Sequence, residues 1–323
     1  MILEFLDSSI DGDSWETLSI SCYKMRYQNE HFQEVPAQHK GDGGIEGFTR
    51  SGVVIQCYCP EDMNYSNDDL YSHHRDKVTD DIAKFIDEKN AKVLKSLGLP
   101  LIKEWHFVIP EYKDKRIIQH NAKKTELVRK VRESNPELYD YISKDFTIII
   151  KTAEDFRIEL TRILRSNLTD TKLSFAILQD TSVDWSGCPN EKVENVKRKL
   201  IAINPEFKTD TKSLDMLLDM YMSAYISGIE LMERLGEGFP DIRKDILDLA
   251  SQYKRHVASR TLLNRDRTMN ADIFNEISND FEEKLRIEFK HINNASIMNL
   301  KMDLIASWLA DCSMEFKGEI KNG

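Results

Sequence analysis

The chain has 323 residues, 41% apolar and 31% charged, and 45 basic against 55 acidic side chains give it a net charge of −10. That length exceeds what one hydrophobic core usually serves, so two domains are expected, and no run of about eighteen apolar residues occurs that could span a membrane as a helix. The acidic balance excludes a protein that coats nucleic acid over its whole surface, because phosphate binding rests on Lys and Arg, but it leaves room for one local basic groove.

The first ten residues carry Glu4 and Asp7 and no base, unlike a secretory or transit signal, so the chain reads as cytoplasmic. Its five cysteines, Cys22, Cys57, Cys59, Cys188 and Cys312, are odd in number and scattered, which fits free thiols. Cys57 and Cys59 are spaced as alternate residues of a strand and not as a zinc knuckle.

In chain order, Asp13 or Ser14 can cap a helix whose Trp15, Leu18, Cys22, Tyr23 and Met25 recur at helical steps to about Asn29. A loop through Pro36 leads to the glycines Gly41, Gly43, Gly44 and Gly47. Two strands follow, Ile45 to Thr49 and Val53 to Tyr58, turned at Ser51 and Gly52 as a hairpin. One long helix is predicted from Asp69 to Leu97, closed by Gly98. Then come a strand over Trp105 to Ile109, a basic helix over Ile118 to Arg132, a strand over Phe146 to Lys151 and a helix over Ala153 to Arg165. This alternation predicts an α/β sandwich with a mixed sheet.

Beyond about residue 171 the pattern changes to helices. Leu214, Leu217, Leu218, Tyr221 and Tyr225 form one stripe, Ile242, Ile246, Leu249 and Tyr253 a second, and Ile273 to Ile292 a third. The division expected is an α/β domain over 1–168 and an all-α domain over 169–323, parted in the polar stretch Ser166 to Lys172.

The chemistry concentrates in Gly41-Asp42-Gly43-Gly44-Ile45-Glu46-Gly47 and, ten residues after Glu46, Gln56-Cys57-Tyr58. Strand alternation puts Val54, Gln56 and Tyr58 on one face, so Gln56 and Tyr58 point together toward Glu46 on the neighbouring strand. Oxygen donors on adjacent strands suit a hard cation such as Mg²⁺. The lysine and hydroxyl residue of a nucleotide-binding P-loop are missing and a strand follows the glycines, so that reading is rejected.

This stretch resembles the motif of Mrr-type nucleases of the PD-(D/E)xK restriction-endonuclease-like superfamily, found among bacterial anti-phage effectors: a G-D-G-G-I-(D/E)-G turn, then a strand bearing (E/Q)-x-K. The resemblance covers residues 13 to 60 by motif and 13 to 165 by order of elements. It implies an α/β/α sandwich followed by a helical domain, with Glu46 and Gln56 as ligands of Mg²⁺ or Mn²⁺, Ile55 offering a neighbouring carbonyl and Glu16 a further acid. Asp42 either joins the metal or hydrogen-bonds within its turn. The family's catalytic lysine is replaced by Tyr58, and the following helix offers Lys77, then Lys84, as the migrated cation.

His73 and His74 are expected at the surface of that helix start. The basic set Lys113, Lys115, Arg116, Lys123, Lys124, Arg129 and Lys130 is the candidate contact to the DNA backbone. By resemblance the activity is a metal-dependent endodeoxyribonuclease in a multi-subunit defence complex, restrained by its helical domain or by a partner such as an ATPase or sensor subunit; it can form homo-oligomers and has no membrane partner. The alternative is a catalytically degenerate subunit that binds nucleic acid or protein.

Overall fold

Parallel strands need long crossovers while antiparallel ones close with tight turns, and the chain between residues 33 and 151 uses both. The computed structural model describes residues 2–6, 10–36, 43–61, 65–166, 169–175, 183–311 and 314–316. β1 (Gln33–Glu34), β2 (Gly47–Phe48) and β3 (Val53–Cys57) pair antiparallel, and β4 (Ile102–Val108) and β5 (Ile142–Lys151) extend the sheet in parallel, in the order β1-β2-β3-β4-β5. Two helices, α2 (Asn67–Phe85) and α3 (Glu88–Ser96), connect β3 to β4, and α4 (Arg116–Ser134) connects β4 to β5.

Val54, Trp105, Phe107, Phe146 and Ile148 share one sheet face and pack with Val78, Ile82 and Phe85 of α2, Leu94 of α3 and Val128 of α4 in a single core. The other face takes α1 (Gly12–Arg26): Trp15 Nε1 donates to the Val108 carbonyl at 3.0 Å and the Tyr23 hydroxyl meets His106 Nδ1 at 2.7 Å. Arg26 then reaches Glu159 of α5 (Arg157–Arg165) at 2.8 Å. The first half is therefore α/β with a mixed sheet, as its alternation predicts.

Four details depart from the sequence reading. Asp11, not Asp13 or Ser14, caps α1, in reciprocal hydrogen bonds with Ser14. The single helix expected over Asp69 to Leu97 is two, because the Asp87 side chain accepts from the Lys89 and Asn90 N–H groups and starts α3 anew. β1 lies where a loop was expected; at two residues, both exposed, it carries no apolar alternation to read. β5 begins at Ile142, four residues early, across a register shift against β4.

The chain divides into one compact unit of Ser8–Ile163 and another of Met1–Asp7 with Leu164–Gly323. The expected division at 168 and 169 is thus corrected at its start: the first residues belong with the helices. Phe5 packs edge-on to Phe175 and Phe239, the Ser174 N–H donates to the Phe5 carbonyl at 2.7 Å, and Leu6 bridges Leu173. An apolar tail of this kind finds its burial wherever a core is open to it.

The helical unit comprises α6 (Asn190–Ile203), α7 (Thr211–Gly238), α8 (Pro240–Leu263), α9 (Asn270–Glu288) and α10 (Asn294–Ala310). The first two expected stripes lie on α7 and α8, and the third lies on α9 but outruns it, since Phe289 and Ile292 follow its end at Glu288. α10 has buried residues all round, among them Ile297, Leu300, Leu304, Ile305, Trp308 and Leu309, and it packs against α6, α7 and α9. Its buried positions keep to no single three-to-four-residue stripe, and Met298 near its start is exposed, which is why periodicity passes over it. No helix among the described residues is long and apolar enough to cross a membrane.

Candidate active site at the glycine turn

Gly43 and Gly44 both have positive φ, +64° and +80°, in the region that favours glycine. The reason at Gly44 is also one of space: a Cβ there would stand 2.4 Å from the Asp81 carbonyl oxygen of α2. The turn therefore lies against α2 and delivers the chain to β2 with Glu46 at its mouth.

Glu46 is pinned by its backbone. Its N–H donates to the Ile55 carbonyl at 2.8 Å and its carbonyl accepts from the Val35 N–H at 2.8 Å. The β2–β3 register, Gly47 with Ile55 and Phe48 with Val54, sets Glu46 opposite Gln56. Glu46 Oε1 accepts from Gln56 Nε2 at 2.6 Å, and Oε2 accepts from the Cys57 backbone N–H at 2.8 Å. The Ile55 carbonyl, expected as a neighbour of the metal, is already bonded in the hairpin.

Glu46 is only 8% exposed. Burial pushes its pKa up to about 8, against the pull of the Cys57 hydrogen bonds; the charge of Glu16 raises it further and that of Lys77 lowers it. Glu16, half-buried on α1, and Lys77, on α2, are thus both within electrostatic reach of the same carboxyl. Gln56 is 2% exposed and its Oε1 has no hydrogen-bond partner. An orphaned amide oxygen beside a buried carboxyl lacks a positive or donating group.

Lys77 Nζ lies 3.0 Å from Asp81 Oδ2 and 5.9 Å from the centre of the Tyr58 ring. Lys84 Nζ lies 3.0 Å from the other oxygen of Asp81, on a largely exposed side chain. Asp81, 1% exposed, was missed by the sequence reading. Its signal was present: it occupies the i+3 position of the apolar series Val78, Ile82, Phe85, with lysines four residues before and three after.

Tyr58 supplies no cation. Its ring stacks on Phe107, and burial raises the pKa of its hydroxyl, which stays neutral and can only donate or accept a hydrogen bond. His74, expected at the surface, is buried edge-on to Tyr58 and Phe107, and burial lowers its pKa to about 4. The helical spacing that makes Leu70, Val78 and Ile82 inward-facing also turns His74 inward.

The expected metal ligands do not converge as a ready-made set of acids. Among the described residues no three His, Cys, Asp or Glu side chains form such a group, and Asp42 lies outside the described residues. What does come together is the Glu46 carboxyl, the Gln56 amide oxygen and, by its charge, Glu16. That all-oxygen set with one orphaned member fits a hard divalent cation.

The basic set is divided by its contacts. Lys113 pairs with Glu111 at 2.8 Å, Arg116 pairs with Asp114 and Asp68 and lies 4.4 Å from the centre of the Tyr71 ring, and Arg129 donates to the Phe146 carbonyl at 2.9 Å. These three are tied into the fold. Lys115, Lys123, Lys124 and Lys130 form no ion pair among the described residues. Lys123 and Lys124, with Arg75 of α2, hold the His120 pKa down after burial while Asp76 opposes them, and Arg75 is itself paired with Asp76 at 2.7 Å, which leaves Lys123 and Lys124 as the bases there without an ion pair among the described residues. Of the five cysteines, Cys22, Cys57, Cys59 and Cys188 are free thiols, and Cys312 lies outside the described residues.

Comparisons with known protein families, with curated proteins and with solved structures found no match.

Proposed function

We propose that the α/β unit is a metal-dependent endodeoxyribonuclease of the restriction-endonuclease-like kind, acting as the effector of a multi-subunit anti-phage system and restrained by its helical unit or a partner. The observation that carries this reading is the pairing of Glu46 with Gln56: a buried carboxyl and a buried amide 2.6 Å apart, with the amide oxygen unsatisfied. Glu46, Gln56 and Glu16 would hold Mg²⁺ or Mn²⁺, which when bound supplies positive charge that polarises a phosphodiester and makes a nearby water easier to deprotonate.

The chain's own residues do the rest. The Cys57 N–H fixes one oxygen of Glu46, so the carboxyl cannot swing away from the site. Lys77 supplies positive charge beside Glu46, where developing negative charge on a phosphate needs it, and Asp81 fixes the position of that ammonium. Tyr58 offers a neutral hydroxyl. Lys123 and Lys124 would take the DNA backbone.

A second reading, a degenerate nuclease-like subunit that binds nucleic acid or protein, rests on Tyr58, which packs against Phe107 where the family carries its lysine. One experiment separates the two. Purified protein is incubated with supercoiled plasmid and Mg²⁺ or Mn²⁺, alone and with the products of neighbouring genes, beside Glu46→Ala and Tyr58→Lys. Cleavage lost in Glu46→Ala supports the enzyme; cleavage seen only in Tyr58→Lys supports the degenerate subunit.

A further inference from the structure

The helical unit contains a groove that the nuclease reading does not use and on which that reading does not depend. α7 and α10 pack closely at Gly228, where a Cβ would stand 2.9 Å from Asp303 Cβ. Alongside is a cavity of about 410 Å³, lined on α7 by Ile226, Ser227, Glu230 and Leu231 and on α10 by Asn299 and Asp303. That volume falls within the range of small-molecule sites.

Asp303 is the anomaly in its wall. It is 4% exposed, and its Oδ1 has no hydrogen-bond partner. Burial pushes its pKa up to about 7. A carboxyl in that position is stabilised only by keeping its proton or by gaining a positive partner.

The surrounding charges say which partner. Asp184 and Glu230 also face the cavity, and the one base among its described lining residues, Arg234, has its guanidinium 3.7 Å from Glu4 and over the Phe5 ring. The wall is therefore acidic, which excludes an anion. A second chamber of about 410 Å³ shares Val183, Ser227 and Asn299 with the first and adds Met220, Met298 and Met302. There Asp219 accepts from Trp185 Nε1 at 2.8 Å and Lys301 pairs with Glu282 at 2.6 Å, so both polar groups already have partners. Methionine walls are adaptable and suit an apolar body.

We propose that this two-chambered groove binds a small organic cation, its ammonium or amidinium N–H groups on Asp303 and its apolar body in the methionine-lined chamber. The apolar half and the single fully buried carboxyl distinguish this site from one for a bare divalent ion, which takes six or more oxygens. Binding at neutral pH displaces the proton that Asp303 otherwise keeps.

The test is calorimetric titration of the full chain with 2-phenylethylamine, and with the isosteric neutral 2-phenylethanol, at pH 6 and pH 8. The amine should bind, about tenfold more tightly at pH 8 than at pH 6 because Asp303 ionises between them, and the alcohol should bind at least about tenfold more weakly than the amine at pH 8. Asp303→Asn should abolish both the pH dependence and the preference for the amine. Ser227→Leu, which fills the shared wall from a half-buried position, should abolish binding and decides the matter should Asp303→Asn not fold. No heat with the amine at pH 8, equal affinity for the alcohol, or undiminished binding in the variants would overturn the proposal.

Discussion

Replacing Glu46 by glutamine removes an ionisable group whose burial is at odds with its charge, and the consequence is a stability that depends on pH in a defined direction. In the unfolded chain the carboxyl releases its proton near its ordinary 4.5; in the folded chain it holds the proton until about 8. Between those values the folded state binds more protons than the unfolded one, so stability falls as pH rises, by about 1.4 kcal/mol per pH unit. The loss is about 3 kcal/mol at pH 7 and about 5 kcal/mol once Glu46 is fully ionised, and it levels off above pH 8. Glu46→Gln should abolish this slope. The new amide can still accept from the Cys57 N–H, and rotation of the Gln56 amide lets its orphaned oxygen accept the new donor, so little packing is lost. The assay is urea unfolding of both proteins in chelator from pH 5 to pH 9, followed by a fluorescence probe within the α/β unit. The difference between them should grow in favour of the variant as pH rises. Adding Mg²⁺ should stabilise the unmodified protein alone, and most at high pH. Parallel pH profiles would refute the buried, protonated Glu46, and parallel responses to Mg²⁺ would refute its role as a ligand.

The remaining predictions concern the groups around it. Lys77→Ala should lower plasmid cleavage by about 10²-fold, as for a lost preorganised donor, while changing unfolding by only about 1 kcal/mol, because Asp81 keeps Lys84; a silent Lys77→Ala in an active enzyme removes this lysine from the mechanism. Gly44→Ala should destabilise the α/β unit by about 2–4 kcal/mol or prevent its folding, since both the positive φ and the Asp81 carbonyl 2.4 Å away oppose a Cβ; an unfolding midpoint equal to the parent's counts against the close approach of turn and helix. Lys123→Ala with Lys124→Ala should reduce the salt dependence of DNA retention by about two phosphate contacts, a slope change of about 1.8 in log affinity against log salt; an unchanged slope moves the DNA path elsewhere.

Much of the α/β unit was legible because its signals are local. The glycine turn, the hairpin and the apolar strands announce themselves by residue type, and the register that sets Glu46 against Gln56 follows from a short turn at Ser51 and Gly52. What escaped was set by competition or by burial that sequence does not display. Asp87 reads as one more polar residue on a long amphipathic helix until its side chain caps α3. His74 read as a surface polar and Asp81 drew no reading, yet both hold inward positions on α2, where the helix trades two apolar contacts for groups at the site. α10 gave no stripe because its buried positions run around most of the helix. The first residues looked like the start of the α/β domain because chain order says nothing about which core an apolar tail will join.

The placement of Asp81 bears on what a tyrosine at position 58 does to the charge of the site. With Lys77 and Lys84 both paired to Asp81, that trio carries one net positive charge, while Glu46 and Glu16, if both ionised, carry two negative ones. The balance is negative by one, in a place with little water to screen it. Glu46 keeps its proton chiefly because it is buried, and the charge of Glu16 adds to that. A divalent cation resolves it the other way, by letting Glu46 ionise and satisfying the Gln56 oxygen at once. A lysine at position 58 would add a third ammonium and favour an ionised Glu46 without any cation. Tyr58 instead leaves the ionisation of Glu46 waiting on what enters the site, so the protonation of this carboxyl is coupled to occupancy, and Tyr58→Lys should lower the Glu46 pKa in chelator, seen as a flatter fall of stability between pH 5 and pH 8. An unchanged fall in that variant would mean that the position 58 side chain points away from the carboxyl and has no bearing on its charge.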